Sequence, residues 1–185
     1  MSKIQFKAAQ SSAPVIKRLY VIDTSYLLEL YRVHPWYEES AHRTIKQKFE
    51  ENYKAGQFFV PVAVLFELAN HIADAKLRRF ELAAQLSQDV ASSISAQSPW
   101  TITHAVGAQS LADLVSALNE SVSRFADEFS RQELGLTDTT VILEAERLLR
   151  KDQKLASLRH YQVHIWTRHA ALKAREPDAE PSPFI

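Results

Sequence analysis

Short apolar runs alternate along the chain with longer stretches in which apolar side chains recur every three or four positions. Four of the short runs have the composition of buried strands; they cover residues 19–22, 57–60, 100–103 and 162–166. Strands that alternate with helices form a parallel sheet that is covered by helices on both faces. The pattern therefore predicts an α/β fold.

The longer stretches have the periodicity of amphipathic helices. They cover residues 26–31, 38–55, a helix that begins near Pro61, and then 74–93, 110–131 and 138–151. Gly56 is expected to cap the second helix at its C-terminus, and Thr137 is expected to cap the last helix at its N-terminus. No internal repeat or linker divides the chain.

The predicted domain spans residues 18–175, between an N-terminal arm at 1–17 and an irregular tail at 176–185 that contains three prolines. Within the domain, the helix-rich stretch 74–131 is long for a single crossover. We therefore expect it to form a helical lid or a partner surface. Its second half carries an apolar stripe that consists of Leu111, Leu114, Val115, Leu118 and Val122.

The composition narrows the chemistry that the protein can perform. There is no cysteine, which excludes disulfides, thiolate nucleophiles and cysteine-ligated zinc, and no glycine-rich phosphate loop is present. The chain has 22 basic and 22 acidic residues, and this neutral balance is not typical of a protein that coats nucleic acid. It does not exclude nucleic-acid binding, because acids gathered at a metal site can mask a basic rim. No apolar run has the length of a signal peptide or membrane span, so we expect a cytoplasmic location and no membrane contact.

Three acidic residues lie where open α/β sheets place functional sites, at the carboxyl ends of strands. Asp23 follows the first strand, Glu67 lies on the helix after the second strand, and Asp138 lies in the first turn of a late helix. Carboxylates brought together repel one another unless a cation neutralises them, and Mg²⁺ and Mn²⁺ prefer oxygen ligands. The trio is therefore predicted to form one divalent-metal site that activates water for phosphodiester hydrolysis.

Each acid also has an ordinary structural interpretation. An Asp after a strand often forms a turn, an Asp in a first helical turn stabilises the helix dipole, and a helical Glu is usually a solvated charge. The combination of the three in suitable contexts favours a site. Thr24, Ser25 and Thr139 adjoin the acids and are candidates for binding the phosphate of a substrate or a metal-bound water molecule.

Three segments resemble the motifs of PIN domains. They cover residues 21–25, 64–68 and 135–142 and read VIDTS, VLFEL and GLTDTTVI. Their order also resembles that family: an Asp after a strand, a Glu on a helix, and Leu-Thr-Asp at the start of a late helix. The resemblance extends from about residue 19 to residue 172, and the middle of this range matches poorly.

The resemblance implies a three-layer α/β/α fold with a central parallel sheet of four or five strands. It also implies an endoribonuclease that hydrolyses single-stranded or structured RNA with Mg²⁺ or Mn²⁺, and in which Asp23, Glu67 and Asp138 are the catalytic metal ligands. Many bacterial members of the family are toxins of the VapC type, which a small antitoxin protein silences. An antitoxin partner and a homodimer are therefore expected as well.

One position departs from the family pattern. PIN domains commonly carry another acid after the last core strand, in a Thr-x-Asp context; here Thr167 matches and His169 replaces the Asp. A neutral imidazole binds Mn²⁺ better than Mg²⁺, which makes His169 a candidate ligand, and a surface histidine at a helix start is the alternative. Thr167 and Arg168 are candidates for phosphate contact. Three acids elsewhere could substitute for the missing one: Asp152, Glu176 and Asp178.

Three functions stay open at this point. The first is a metal-dependent ribonuclease, and the second is a catalytically weakened PIN-like module that binds RNA or a protein partner. The third is a different metal-dependent phosphohydrolase. A phosphatase of the aspartyl-phosphate kind would need a second Asp two residues after Asp23, where this chain has Ser25.

Overall fold

Four parallel strands form the sheet in the computed structural model, which describes residues 16–103, 111–153 and 161–184. The strands are β1 (Lys17–Ile22), β2 (Gly56–Pro61), β3 (Thr101–Thr103) and β4 (Tyr161–Trp166). Their order is β3-β2-β1-β4, and every adjacent pair is parallel. The predicted α/β fold with a parallel sheet is confirmed, and the predicted strand ends are right to within two residues. Most of the predicted N-terminal arm lies outside the described residues.

Helices flank the sheet, in agreement with a three-layer α/β/α arrangement. They are α1 (Thr24–Tyr31), α2 (Glu39–Asn52), α3 (Val62–Asp74), α4 (Arg79–Ala96), α5 (Leu111–Arg124), α6 (Leu136–Gln153) and α7 (Ala170–Lys173). A π-helical turn (Phe125–Phe129) and a 3-10 turn (Ser130–Gln132) join α5 to α6. Helix α6 packs against β1, β2 and β4. Within the described ranges, no helix combines the length and the apolar character needed to cross a bilayer.

The helix predicted over residues 74–93 begins later in the structure, where it corresponds to α4. Helix α3 ends at Asp74 and α4 begins at Arg79. Between them Ala75 is extended, and Arg78 has a left-handed backbone with φ of 56°. Neither conformation fits an α-helix, so the apolar periodicity continues across a break in the backbone.

The predicted capping role of Gly56 is wrong. Helix α2 already ends at Asn52, and Gly56 is the first residue of β2. A Cβ atom on Gly56 would lie 2.6 Å from Cε2 of the buried Tyr20 ring and 3.0 Å from the carbonyl oxygen of Asn52. The glycine is needed because two segments approach closely there, and not because a helix ends.

Aromatic packing on the sheet fixes the strands that lead to the candidate site. The Tyr20 ring lies 5.3 Å from Phe58 and 4.3 Å from Trp166, measured between ring centroids, and its hydroxyl donates to Asn52 Oδ1 at 2.7 Å. Large buried rings dominate the energetics of a core. This cluster therefore ties β1, β2 and β4 to α2, and the ends of β1 and β4 are held in register.

The apolar stripe of α5 is exposed. Among the α5 residues whose side chains are described, Ala117 and Ser121 are buried, and four stripe residues lie on the surface: Leu114, Val115, Leu118 and Val122. The side chain of Leu111 lies outside the described residues. That this stretch is a lid or a partner surface stays a prediction.

Candidate functional site

The sheet topology creates a crevice beside β1. The chain passes from β1 to β2 and then to β3 in one direction, and it returns to β4 on the other side of β1. Ligands of open α/β sheets bind at such a switch point, outside the carboxyl ends of the strands. Asp23 follows β1 and Thr167 follows β4, and the backbone N–H of Asp23 donates to the Trp166 carbonyl at 3.0 Å.

A cleft of about 340 Å³ opens at this edge of the sheet. The structure brings six of the nine predicted site residues together in its lining: Asp23, Thr24, Ser25, Glu67, Asp138 and His169. The three carboxylates belong to the N-cap residue of α1, to α3 and to α6, so residues far apart in the chain meet at one place.

Asp23 is nearly buried and has one firmly held oxygen. It is the N-cap of α1, and its Oδ2 accepts hydrogen bonds from Ser25 N at 3.2 Å, Ser25 Oγ at 2.7 Å and Thr167 Oγ1 at 2.9 Å. Within the described part of the chain, Oδ1 receives no hydrogen bond. The carboxylate is thus fixed through one oxygen and offers the other to a ligand.

Glu67 and Asp138 follow the same pattern. Glu67 Oε2 accepts from Thr24 Oγ1 at 2.6 Å, and Asp138 Oδ2 accepts from the backbone N–H of Gly135 at 2.7 Å. The second oxygen of each receives no hydrogen bond from any described residue. Because α6 begins at Leu136, the predicted N-cap role of Thr137 is wrong: Thr137 lies inside the first turn of the helix.

The carboxylates interact electrostatically. Burial raises the pKa of Asp138, and the negative charges of Asp23 and Glu67 raise it further. The hydrogen bond from Gly135 and the charge of His169 act in the opposite direction. Like charges held together in a partly buried cleft disfavour ionisation, and a bound cation would relieve that repulsion.

The donor set fits a hard divalent cation. Carboxylate oxygens are the ligands that Mg²⁺ and Mn²⁺ prefer, and an imidazole suits Mn²⁺. Among residues 16–103, 111–153 and 161–184, however, no three Asp, Glu or His side chains are placed so that they could hold a metal ion as they stand. The site is an open cleft. One oxygen of Asp23, one of Glu67 and one of Asp138 receive no hydrogen bond from any described residue.

His169 lies at the rim of the cleft. Its side chain is 41% exposed, and its Nδ1 is 3.8 Å from Oδ1 of Asp138. The candidate substitutes Glu176 and Asp178 lie elsewhere, because they accept hydrogen bonds from the backbone N–H groups of Ile165 and Val163 at the free edge of β4. The side chain of the third candidate, Asp152, lies outside the described residues.

The other three predicted residues do not line the cleft. Thr139 is fully buried and donates to the Gly135 carbonyl at 2.9 Å, and Thr167 is buried against Asp23. The guanidinium of Arg168 pairs with the buried carboxylate of Glu29. Contact of these three side chains with a substrate stays a prediction.

Sequence reasoning missed His71, which also lines the cleft. It follows Glu67 by one helical turn, and its ring packs against Trp36 with the centroids 4.6 Å apart. Residues four apart on a helix share a face, so the Glu67-x-x-x-His71 spacing was the available signal.

In comparisons with known proteins, the chain matches no family model, no curated protein and no solved structure. The fold and the site together define an α/β protein with an acidic cleft at a topological switch point.

Proposed function

We propose that this protein is a metal-dependent endoribonuclease of the PIN type, which hydrolyses phosphodiester bonds of single-stranded or structured RNA. The observation that carries the proposal is the meeting of Asp23, Glu67 and Asp138 in one cleft, each with one oxygen held and one oxygen open. This geometry supports metal-dependent phosphodiester chemistry. The choice of RNA as substrate rests on the motif resemblance.

In this proposal, Asp23, Glu67 and Asp138 would hold Mg²⁺ or Mn²⁺, with His169 as a further ligand. When bound, the cation lowers the pKa of a water molecule and offsets the negative charge of the phosphate. The hydroxyls of Thr24, Ser25 and Thr167 orient two of the carboxylates in advance. Such preorganisation helps catalysis because the groups need not rearrange during the reaction.

The test is cleavage of single-stranded RNA in Mg²⁺ or Mn²⁺ by the Asp23→Asn variant. Its activity should fall by at least about 100-fold, since removal of an outer-shell partner alone costs roughly 10–100-fold. Asp89→Asn is the matched control, because this Asp also accepts a hydroxyl hydrogen bond, from Tyr31, and does not line the cleft. Unchanged cleavage by Asp23→Asn would overturn the proposal, and equal cleavage of the same sequence as DNA would contradict the RNA assignment.

The family resemblance extends the proposal to the toxin of a toxin–antitoxin pair. The exposed apolar face of α5, which adjoins Phe66 and Leu136 near the cleft, supports a protein partner. A toxin should arrest growth when expressed alone, and co-expression of a small protein encoded next to it should restore growth. Growth arrest that Asp23→Asn does not relieve would contradict a toxic nuclease activity.

A catalytically weakened PIN-like module is the second candidate function. It is favoured by His169, whose position beside Asp138 leaves the cleft with one acid fewer than the family pattern. Calorimetric titration with Mn²⁺ separates the two. Binding that Asp23→Asn abolishes supports the nuclease, whereas RNA binding without Mn²⁺ binding supports the module.

A further inference from the structure

A buried ion pair links α1 to the segment that follows β4. The Glu29 side chain has no exposed surface; its carboxylate accepts hydrogen bonds from the Arg168 guanidinium and, at 3.0 Å, from the backbone N–H of Glu38. Arg168 also lies 3.4 Å from a carboxylate oxygen of Glu38, and its guanidinium is 5.4 Å from the ring centroid of Phe184. Several elements therefore hold one arginine side chain in a single place.

The backbone of the same segment reaches the candidate site. The N–H of Arg168 donates to Ser25 Oγ at 2.9 Å, and the N–H of His169 donates to Thr167 Oγ1 at 2.9 Å. Each hydroxyl thus accepts from a backbone amide, and each donates its own proton to Asp23 Oδ2. The backbone amides of Arg168 and His169 therefore orient the hydroxyls of Ser25 and Thr167. These hydroxyls donate two of the three hydrogen bonds that Asp23 Oδ2 accepts.

We infer that Glu29 is a positioning residue for the candidate site: by holding the Arg168 guanidinium, it fixes the backbone that orients Ser25, Thr167 and, through them, Asp23. The structural part of this inference stands on the contacts alone. Its consequence for catalysis rests on the proposed function.

The competing role for Arg168 is direct contact with an RNA phosphate. Glu29 and Glu38 both face the guanidinium, and moving it away to reach a phosphate would leave the fully buried carboxylate of Glu29 without its cationic partner. Breaking a buried ion pair from one side is strongly unfavourable, because an uncompensated charge remains in the interior. The Arg168 guanidinium therefore pairs with Glu29, and the backbone N–H of Arg168 contacts the candidate site through Ser25 Oγ.

Amide hydrogen exchange tests the structural step. In Glu29→Gln and in Arg168→Gln, the amides of Arg168 and His169 should exchange at least about tenfold faster than in the wild type, because local opening controls their protection. The matched control is the pair Arg147–Glu144 on α6, whose side-chain exposures of 26% and 0% nearly equal the 28% and 0% of Arg168–Glu29. Variants of the control pair should leave both amides unchanged, so an equal loss of protection in both sets would overturn the inference.

Kinetics of the same variants test the catalytic step. Glu29→Gln and Arg168→Gln should each lower kcat by roughly 10–100-fold and leave KM and RNA affinity unchanged, and the double variant should be no worse than the poorer single variant. Arg168→Lys keeps the charge without the two-pronged guanidinium and should fall between the wild type and Arg168→Gln. Weaker RNA binding in Arg168→Gln but not in Glu29→Gln, measured with Mn²⁺ and an RNA analogue that cannot be cleaved, would identify a phosphate contact and overturn the inference.

These readouts also separate the inference from the proposed function. If the wild type neither binds Mn²⁺ nor cleaves RNA, the nuclease proposal fails, and amide exchange still decides whether Glu29 positions the segment. If the wild type cleaves RNA and both amides keep their protection in Glu29→Gln, the nuclease proposal stands and the positioning role is refuted.

Discussion

Thr167→Val isolates the contribution of one buried hydroxyl to the candidate site. Valine has nearly the same shape as threonine, and Thr167 is 1% exposed, so the main loss is that of its hydrogen bonds. The hydroxyl donates to Asp23 Oδ2 and accepts from His169 N, both at 2.9 Å, and it makes a longer contact with Ser25 Oγ at 3.4 Å. A hydrogen bond to a charged group contributes about 1.5–3 kcal/mol. Asp23 keeps its two bonds from Ser25. We therefore expect the free energy of unfolding to fall by about 2–3 kcal/mol.

Urea titration and thermal denaturation measure this loss. One kcal/mol moves the Tm of a domain of this size by roughly 2–4 °C, so the Tm should fall by about 4–12 °C. Thr139→Val is the matched control, because Thr139 is equally buried but donates to the Gly135 carbonyl, which also accepts the backbone N–H of Thr139 at 3.0 Å. A neutral hydrogen bond of that kind contributes about 1 kcal/mol or less. Equal losses in the two variants would refute the reasoning that Thr167 stabilises a charged Asp23.

Three further predictions test the packing and the charge of the site. Gly56→Ala should lower the free energy of unfolding by about 1–3 kcal/mol, because the new Cβ would lie 2.6 Å from the packed Tyr20 ring. In Gly135→Ala the atom nearest to the new Cβ is Asp138 Oδ2 at 3.5 Å, so this control should differ from the wild type by less than about 1 kcal/mol in the same denaturant titration. The pKa of Asp138 is raised in the folded state, so ionisation of this carboxyl destabilises the fold as pH rises through that pKa. In chelator, the free energy of unfolding of Asp138→Asn should therefore exceed that of the wild type by an amount that grows above about pH 4. A constant difference between pH 4 and pH 7 would contradict this. His169→Asp should raise RNA cleavage in Mg²⁺ relative to cleavage in Mn²⁺, and an unchanged metal preference would show that His169 is not a ligand.

The strands and the acids that follow them could be predicted because their signals are local. The run LYVI before Asp23 has the composition of a strand buried on both faces, and Leu19 to Ile22 are indeed buried. Once the strands are parallel, their carboxyl ends must meet at one edge of the sheet. That geometry predicts that Asp23 and Glu67 lie near each other. Asp138 follows helical segments and not a strand, so its place in the same cleft depends on how α6 packs on the sheet.

Other features depend on contacts that no local pattern contains. Phosphate contact is predicted for Arg168 because this residue adjoins the site in sequence, whereas the partner of its guanidinium in the structure, Glu29, lies 139 residues away. Gly56 looked like a helix cap because it follows a helix, and its real constraint is the ring of Tyr20 across the sheet. The stripe on α5 indicated an amphipathic helix, and periodicity cannot tell whether protein or solvent covers the apolar face.

The charge balance of the cleft sets the order in which ligands can bind. Asp23, Glu67 and Asp138 surround the opening, and the nearest arginine side chain after β4 is paired with Glu29. Two like charges about 4 Å apart repel by roughly 4 kcal/mol at an effective dielectric constant of about 20, so an RNA phosphate cannot approach the bare carboxylates closely. If the protein is the proposed nuclease, cation binding must therefore precede or accompany RNA binding at the cleft. By linkage, Mn²⁺ and RNA must then raise each other's affinity by the same factor, so RNA affinity measured with and without Mn²⁺ reports this coupling directly.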